Sequence, residues 1–512
     1  MKKQTHTHYF WSVSWWLWLL VFGSFGCQSD PTQHEALAQQ HCGGCHLFPD
    51  PALLPKEIWE KEVLPYMALR LGLDSDLRQI RPLNANDLKV KASTPLVSEQ
   101  DWQKIKAYYL GLAPQRLSPP APFEPLQIIG KQFEIRPVFS PVEQELANIT
   151  CIRIDPKNRA VYMADEVNKA VWLMDAAAQP VKRFGEQPAV SDLQFLDNAH
   201  RQLLVTYIGE SVKVTYNSNG YAQKVNVADP KRQNADLLLT QLYRPTQTLE
   251  HDLDGDRTPE LITCEFGVIE GKFSVWKKNK EGRYTSQTLS TTPGALRTVI
   301  ADWNTDGLPD LVTLFAQGDE RIVVFLNKGN LQFEEKTLLR FPPVYGSSYF
   351  DLIDLNKDGQ LDILYTCGDN ADYSVIFKPY HGLYLFENQG NNKLSQKFFY
   401  PIDGAYKVAA ADVDADGDLD LMSIAFYDDI DSNPQTNVLY FENHQGHFRP
   451  YSIPIGKMGR WLTLDTGDID GDGDIDFALG SHPLGLTAGR MRGSWARNNI
   501  MAAYLINLRL SK

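Results

Sequence analysis

Asp302-Trp303-Asn304-Thr305-Asp306-Gly307-Leu308-Pro309-Asp310 puts oxygen-bearing side chains at positions 1, 3, 5 and 9 of a glycine-containing loop, and the apolar pair Leu311-Val312 follows at once. Oxygen donors at that spacing can close on one hard cation, with a main-chain carbonyl helping; calcium is the natural occupant and Mg²⁺ a weaker one. The pattern occurs four more times: Asp252, Asp254, Asp256 and Glu260; Asp354, Asn356, Asp358 and Asp362; Asp412, Asp414, Asp416 and Asp420; Asp468, Asp470, Asp472 and Asp476. An EF-hand loop opens in the same way but closes with a bidentate glutamate at position 12. Position 12 here is Thr263, Thr313, Tyr365, Ser423 or Leu479, which excludes that reading. A single copy reads equally well as a solvated turn. Five copies do not, because crowded carboxylates without a counter-ion repel one another.

Each loop runs into a strand-like apolar pair: Leu261-Ile262, Leu311-Val312, Ile363-Leu364, Leu421-Met422 and Phe477-Ala478. A second strand and a polar turn come next, as in Val323-Val324-Phe325-Leu326-Asn327-Lys328-Gly329. The first aspartates stand 50, 52, 58 and 56 residues apart, a period that belongs to solenoids or propeller blades. Strand, turn and strand without helices mean antiparallel blades. Worn copies upstream, at Ile154-Asp155-Pro156-Lys157-Asn158 and Leu196-Asp197-Asn198, bring the units to seven. Residues 124–512 divided by the mean period also give about seven, so a closed seven-bladed ring is expected, with Leu126–Gly130 completing the final blade.

These loops and strands resemble the FG-GAP, or VCBS, repeats of integrin-α-like propellers, over about three quarters of the chain. The resemblance implies blades stabilised by calcium, about five ions in all, and an exported setting. It implies no substrate, because propellers host both enzymes and docking platforms.

Ahead of the repeats stands His41-Cys42-Gly43-Gly44-Cys45-His46. C-x-x-C-H is the attachment site of c-type haem: Cys42 and Cys45 add to the vinyl groups and His46 ligates iron. A zinc site would need a second pair at ligand spacing, and a thioredoxin-like pair would need a βαβ context. Neither exists; the flanks Glu35–Gln40 and Glu57–Glu62 read as helices. Met67 is the sixth-ligand candidate, with His34 its rival and an open site the third option. A closing helix over Glu99–Leu110 would finish a small cytochrome c domain.

At the very front, Lys2-Lys3, an apolar run through Trp15–Phe22 and Ser24-Phe25-Gly26-Cys27 describe a secretory signal. A cysteine at that point resembles a bacterial lipobox, which makes Cys27 the lipidated N-terminus; an uncleaved anchor helix is the alternative. The whole arrangement resembles FG-GAP lipoproteins that carry a cytochrome c domain in front. The expected boundaries are signal peptide 1–26, lipid-anchored helical domain 27–116, Pro-rich linker 117–123 and propeller 124–512. The expected fold class is a small all-α cytochrome c domain followed by an all-β seven-bladed propeller. The expected address is the envelope of a Gram-negative bacterium, on the outer membrane.

Fifty Lys+Arg against 63 Asp+Glu give a net charge of −13, which argues against nucleic-acid partners. Five divalent cations would bring it to about −3. Cys151, Cys264 and Cys367 stand far apart and read as buried thiols. Cations precede several acidic loops: Arg244, Arg297, Lys407 and Arg460. Ringing one channel mouth, they would hold an anionic group such as a sugar acid or a quinone carboxylate; paired with blade carboxylates, they would be structural. A polar insertion, Gly368–Ser374 followed by Lys378-Pro379-Tyr380-His381-Gly382, suits a saccharide or a catalytic proton transfer, although a lone histidine such as His381 is more often structural. No nucleophile elbow, zinc-protease motif or phosphate loop is present. The expected role is a single-electron carrier whose propeller docks an envelope or redox partner protein; the alternatives are a sugar or alcohol dehydrogenase passing electrons to the haem, and an adhesion scaffold.

Overall fold

The computed structural model describes residues 31–80, 87–120, 126–142, 146–184, 188–212, 216–227, 236–370, 374, 376–483, 495 and 498–509. The signal segment 1–26, Cys27, residues 121–123 of the linker and residues 371–373 of the insertion lie outside them.

The chain closes into a seven-bladed β-propeller. Blades 1 to 6 each use four antiparallel strands in chain order, starting from innermost strands Ile149–Asp155, Ala189–Phe195, Pro245–His251, Ala295–Ala301, Ser347–Ile353 and Ala405–Ala411. Blade 7 takes its inner three strands from Trp461–Gly467, Asp476–Ser481 and Ile500–Asn507. Its outermost strand is Phe133–Phe139, from the front of the propeller, pairing antiparallel from Phe133↔Asn507 to Phe139↔Ile500. The ring is thereby latched by backbone hydrogen bonds between two distant parts of the sequence. The expectation for Leu126–Gly130 needs correction: Gln127-Ile128 adds a parallel fifth strand to blade 6, against Tyr451-Ser452. The latch lies a few residues further on, where Phe133-Glu134-Ile135 supplies an alternating pattern that buries Phe133 into the blade 6–7 core.

Burial explains why the second strands are mostly apolar between their acidic first residues and a few buried hydroxyls. Glu260–Glu265, Asp310–Phe315, Asp362–Cys367, Asp420–Ala425 and Asp476–Ser481 are buried at every residue, because a blade interior is covered by a neighbour on each face. Outermost strands such as Tyr284–Ser290 lie open to solvent and carry polar residues. Aromatic pairs such as Phe341 on Tyr365, with ring centres 4.2 Å apart, fill the seams between blades. Cys151, Cys264 and Cys367 are buried free thiols, as their isolation implied.

The helical segment spans helix Pro31–Cys42, a continuous run through Lys56–Arg70 with a π-turn at Trp59–Val63, and helix Glu99–Leu112 capped by Ser98. Its core gathers Leu54, Trp59, Leu64, Trp102, Ile105 and Tyr109. Polar tips of these rings are satisfied: Trp59 donates to the Pro51 carbonyl, Trp102 to Asp76 and Tyr109 to the Pro49 carbonyl. Among the described residues no helix is long and apolar enough to cross a membrane.

Candidate functional site

Three groups of residues carry chemistry: the acidic loops at one end of the blades, the charged wall of the central channel, and the opposite face, on which the helical segment sits.

Each acidic loop joins the innermost strand of its blade to the second strand, which begins at the loop's ninth residue. The ninth residue has a second task that spacing did not reveal. One oxygen accepts the amide of the loop's second residue (Leu253, Trp303, Leu355, Val413 or Ile469) at 2.8–3.3 Å. In blades 4 to 7 the other oxygen accepts the amide of an asparagine ending the third strand (Asn327, Asn388, Asn443 or Asn507) at 2.7–2.8 Å. Asn327 and Asn507 also donate to the Leu253 and Val413 carbonyls of the preceding blade's loop, stitching adjacent blades together. Carboxylate oxygens of Asp252, Asp254 and Glu260, of Asp412, Asp414 and Asp416, and of Asp468, Asp470 and Asp476 lie within 4.8 Å of one another. In blades 4 and 5, Asn304 and Asn356 take the third position, each donating to the fifth-position aspartate, Asp306 or Asp358. Burial raises Asp420 to about 6 and Asp476 to about 7, so a cation beside them would relieve buried negative charge. Oxygen-only donors, several carboxylates and a glycine turn fit a hard divalent ion by geometry in blades 6 and 7 and by donor type in blades 4 and 5. Blade 3 differs: the Lys277 ammonium reaches its carboxylates. The worn copies occupy the same turn in blades 1 and 2, where His200 Nδ1 meets Asp155 at 2.7 Å in place of any acidic cluster.

The channel wall is built from residues that alternate inward along the innermost strands. Arg153 bridges Asp192 at 3.5 Å and Asp465 at 3.4 Å, and its Nε donates to the Leu193 carbonyl. Arg297 reaches Asp351 at 3.3 Å and lies 4.5 Å from the ring centre of Tyr349, whose hydroxyl donates to Asp351. Lys407 lies 5.1 Å from the centre of the same ring, and burial brings its ammonium down to about 8. Four cations were expected around one opening; the structure separates them. Arg297 and Lys407 enter the channel, joined by Arg153, whereas Arg244 and Arg460 immediately precede innermost strands at the mouth. Arg460 is buried, donating from Nε to the Phe426 carbonyl and stacking 4.0 Å from the Phe426 ring beside Asp428. Arg153, Asp192, Tyr349, Asp351 and Asp465 were not singled out from sequence. Their signal was positional only: each falls at the third to fifth residue of an innermost strand.

The helical segment packs on the mouth face, over blades 4 and 5. Val344 and Ile376 join its core, and the Tyr380 hydroxyl donates to the Leu53 carbonyl at 3.0 Å while its ring stacks on Tyr345. Tyr380 of the insertion thus docks the helical segment; the adjoining His381 is fully buried, and burial keeps the imidazole well below its usual range. Cys42 ends the first helix, half-buried beside Tyr109, with its thiol raised to about 11 by burial; Cys45 is exposed, and both are free. His46 follows on the same turn, half-buried near Asp319 and Arg340 of blade 4. Burial lowers its pKa, and Nδ1 lies 3.0 Å from the Leu47 carbonyl. A carbonyl only accepts, so Nδ1 carries the proton and Nε2 keeps its lone pair. Met67, on the second helical run, is partly buried against the same core as Cys42.

Between the helical segment and blades 2 and 3 lies a cleft of about 420 Å³, lined by Lys89, Asn217, Asn219, Tyr243, Arg244 and Glu270 among others. Arg244 is buried and holds φ at +46°, a left-handed backbone that non-glycine residues rarely adopt. Strain of this kind concentrates at ligand sites.

The FG-GAP-like repeat matches at residues 252–313 and 302–365. The chain carries FG-GAP-like repeats. No curated protein matches it. Among solved structures, similar ones include the propeller domain of Cps50 (Swd1) from Myceliophteria thermophila, at 11% identity and a TM-score of 0.44, covering 71% of this chain and 98% of that one. Virginiamycin B lyase from Staphylococcus aureus aligns at 10% identity and a TM-score of 0.44, covering 73% and 99%. The N-terminal domain of Nup159 aligns at 10% and 0.42, covering 74% and 96%.

Proposed function

We propose that the protein is an envelope electron carrier in which an FG-GAP propeller presents a covalent c-type haem to a partner. The observation that carries this reading is the Cys42–His46 turn: two free thiols at attachment spacing, followed by an imidazole whose Nδ1 is held by a carbonyl and whose Nε2 is left for iron. Bound there, the haem would supply single-electron redox chemistry. Cys42 and Cys45 would anchor it, His46 would serve as one axial ligand, and Met67 is the candidate for the other. The propeller's part is positional: Val344, Ile376 and Tyr380 fix the helical segment on one face, so a protein bound to that face meets the turn. Cys27 would carry the lipid anchor, with the molecule held at the outer membrane. Asp and Asn side chains of the loops in blades 4 to 7 would hold calcium and stiffen the end away from the turn.

The deciding experiment is the absorption spectrum of the reduced full-length protein. A sharp visible band, lost in Cys42→Ala and Cys45→Ala, is expected; a colourless protein from a host competent in haem attachment refutes the carrier. A second reading, oxidation of a small sugar acid or alcohol at the propeller, is favoured by the cleft at Arg244. Mixing oxidised protein with galacturonate and following the same band separates the two: reduction without a further protein supports the dehydrogenase.

A further inference from the structure

The five acidic loops read as equivalent in sequence, yet blade 3 breaks the pattern at two adjacent positions on its third strand. Strand pairing aligns Trp276, Phe325, Phe386, Phe441 and Leu505, which lie opposite Leu261, Leu311, Ile363, Leu421 and Phe477. Two residues further along, blades 4 to 7 have Asn327, Asn388, Asn443 and Asn507, and blade 3 has Lys278. At the intervening position the others have Leu326, Glu387, Glu442 and Ile506; blade 3 has Lys277. The loop itself diverges too, with Arg257 at the sixth position, at φ +67°, where the others place a glycine.

Lys277 Nζ contacts Asp254, lies 2.9 Å from Asp256 and reaches Glu260 at 3.6 Å. Those are the third, fifth and ninth positions, three of the four donors a metal ion would need. One oxygen of Glu260 has no hydrogen-bond partner and faces this ammonium instead of a clamp asparagine. An ammonium tethered on the same blade is present at high effective concentration and must be displaced before any ion can enter. The blade-3 carboxylates converge as those of blades 6 and 7 do, but an ammonium already takes the place between them.

We propose that Lys277 is the resident cation of the blade-3 loop, so that this blade is held without a metal while blades 4 to 7 take divalent ions. The inference rests on the calcium reading above. Its test is a count of calcium bound per full-length protein after chelation and dialysis against calcium, by elemental analysis or native mass spectrometry. Four equivalents are expected for the wild type and five for Lys277→Met, with Lys277→Gln as a second neutral variant. Glu387→Lys, which places an ammonium at the corresponding position of blade 5, is expected to lower the count to three. Five equivalents in the wild type overturn the proposal. So does an unchanged count of four in both neutral variants once circular dichroism shows them folded. No calcium in any of these proteins refutes the calcium reading itself, an outcome distinct from the other two.

Discussion

Replacing Arg153 by methionine removes a side chain that ties blade 1 to both neighbours, Asp192 of blade 2 and Asp465 of blade 7. At 3.4–3.5 Å each pair is worth ~5 kcal/mol of Coulomb attraction at an effective dielectric of about 20. Desolvation offsets much of that, and Arg153 remains 33% exposed, which screens it further. Loss of one partner from a buried pair typically costs about 3–5 kcal/mol and from an exposed pair about 0–1, so about 2–3 kcal/mol is expected here. Methionine keeps the apolar stem, so the loss is electrostatic. At ~2 cal/mol/K per residue, a propeller of this size has an unfolding entropy near ~0.8 kcal/mol/K, and the melting temperature should fall by about 3 °C. Calorimetry in low and high salt measures this. Adding Asp465→Asn to Arg153→Met should restore part of the loss, since it removes a carboxylate that has lost its paired guanidinium and keeps only the more distant Lys407. A single variant that melts with the wild type, or a double variant less stable than the single, refutes the channel wall as the clamp across the closing seam.

Asp428 is buried and raised to about 7, against about 3.9 in an unfolded chain, so the folded state retains a proton that the unfolded one has released. Its contribution is complete below pH ~4 and disappears as the pH rises through 7, up to ~4 kcal/mol in total; Asp428→Asn should flatten that part of the stability profile in urea titrations between pH 5 and 8. Asn443→Ala, which removes the bonds to the Leu419 carbonyl and the Gly446 amide, should destabilise by about 1–2 kcal/mol in the same assay. Tyr380→Phe removes only the bond to Leu53 and should cost about 1 kcal/mol, visible as faster hydrogen exchange around Leu53 with the blades unchanged. Lys407, with its amine near 8, should react with an acylating reagent at pH 8 ahead of surface lysines; mass-spectrometric mapping that finds it among the slowest contradicts the channel geometry.

The blade count, the antiparallel architecture and the loop positions were legible in the sequence because each follows from a local rule. A strand buried on both faces must be apolar, and an oxygen-rich turn between two such strands recurs at the blade period. The seven-blade closure followed from arithmetic on that period, and the isolation of Cys151, Cys264 and Cys367 was enough to mark them as buried thiols. His381 looked like a site because an imidazole beside tyrosines is chemically suggestive; what only the structure adds is that it is fully buried, which holds its pKa well below the usual range.

The remaining features depend on residues distant in sequence that only the closed ring brings together. Periodicity located the first and last blades but could not distinguish Leu126–Gly130 from Phe133–Phe139 as the latch, because pairing energy is set by the partner strand Ile500–Asn507 and not by either segment's own pattern. Arg297 and Lys407 were separable from Arg244 and Arg460 only once strand register fixed which residues face the channel. Spacing likewise made five acidic loops identical, and the lysine that distinguishes blade 3 sits on another strand, reaching the loop through folding alone. Sequence determines what is local, the period and the donor types. Tertiary structure decides which charges meet, because electrostatic partners are chosen by distance in space.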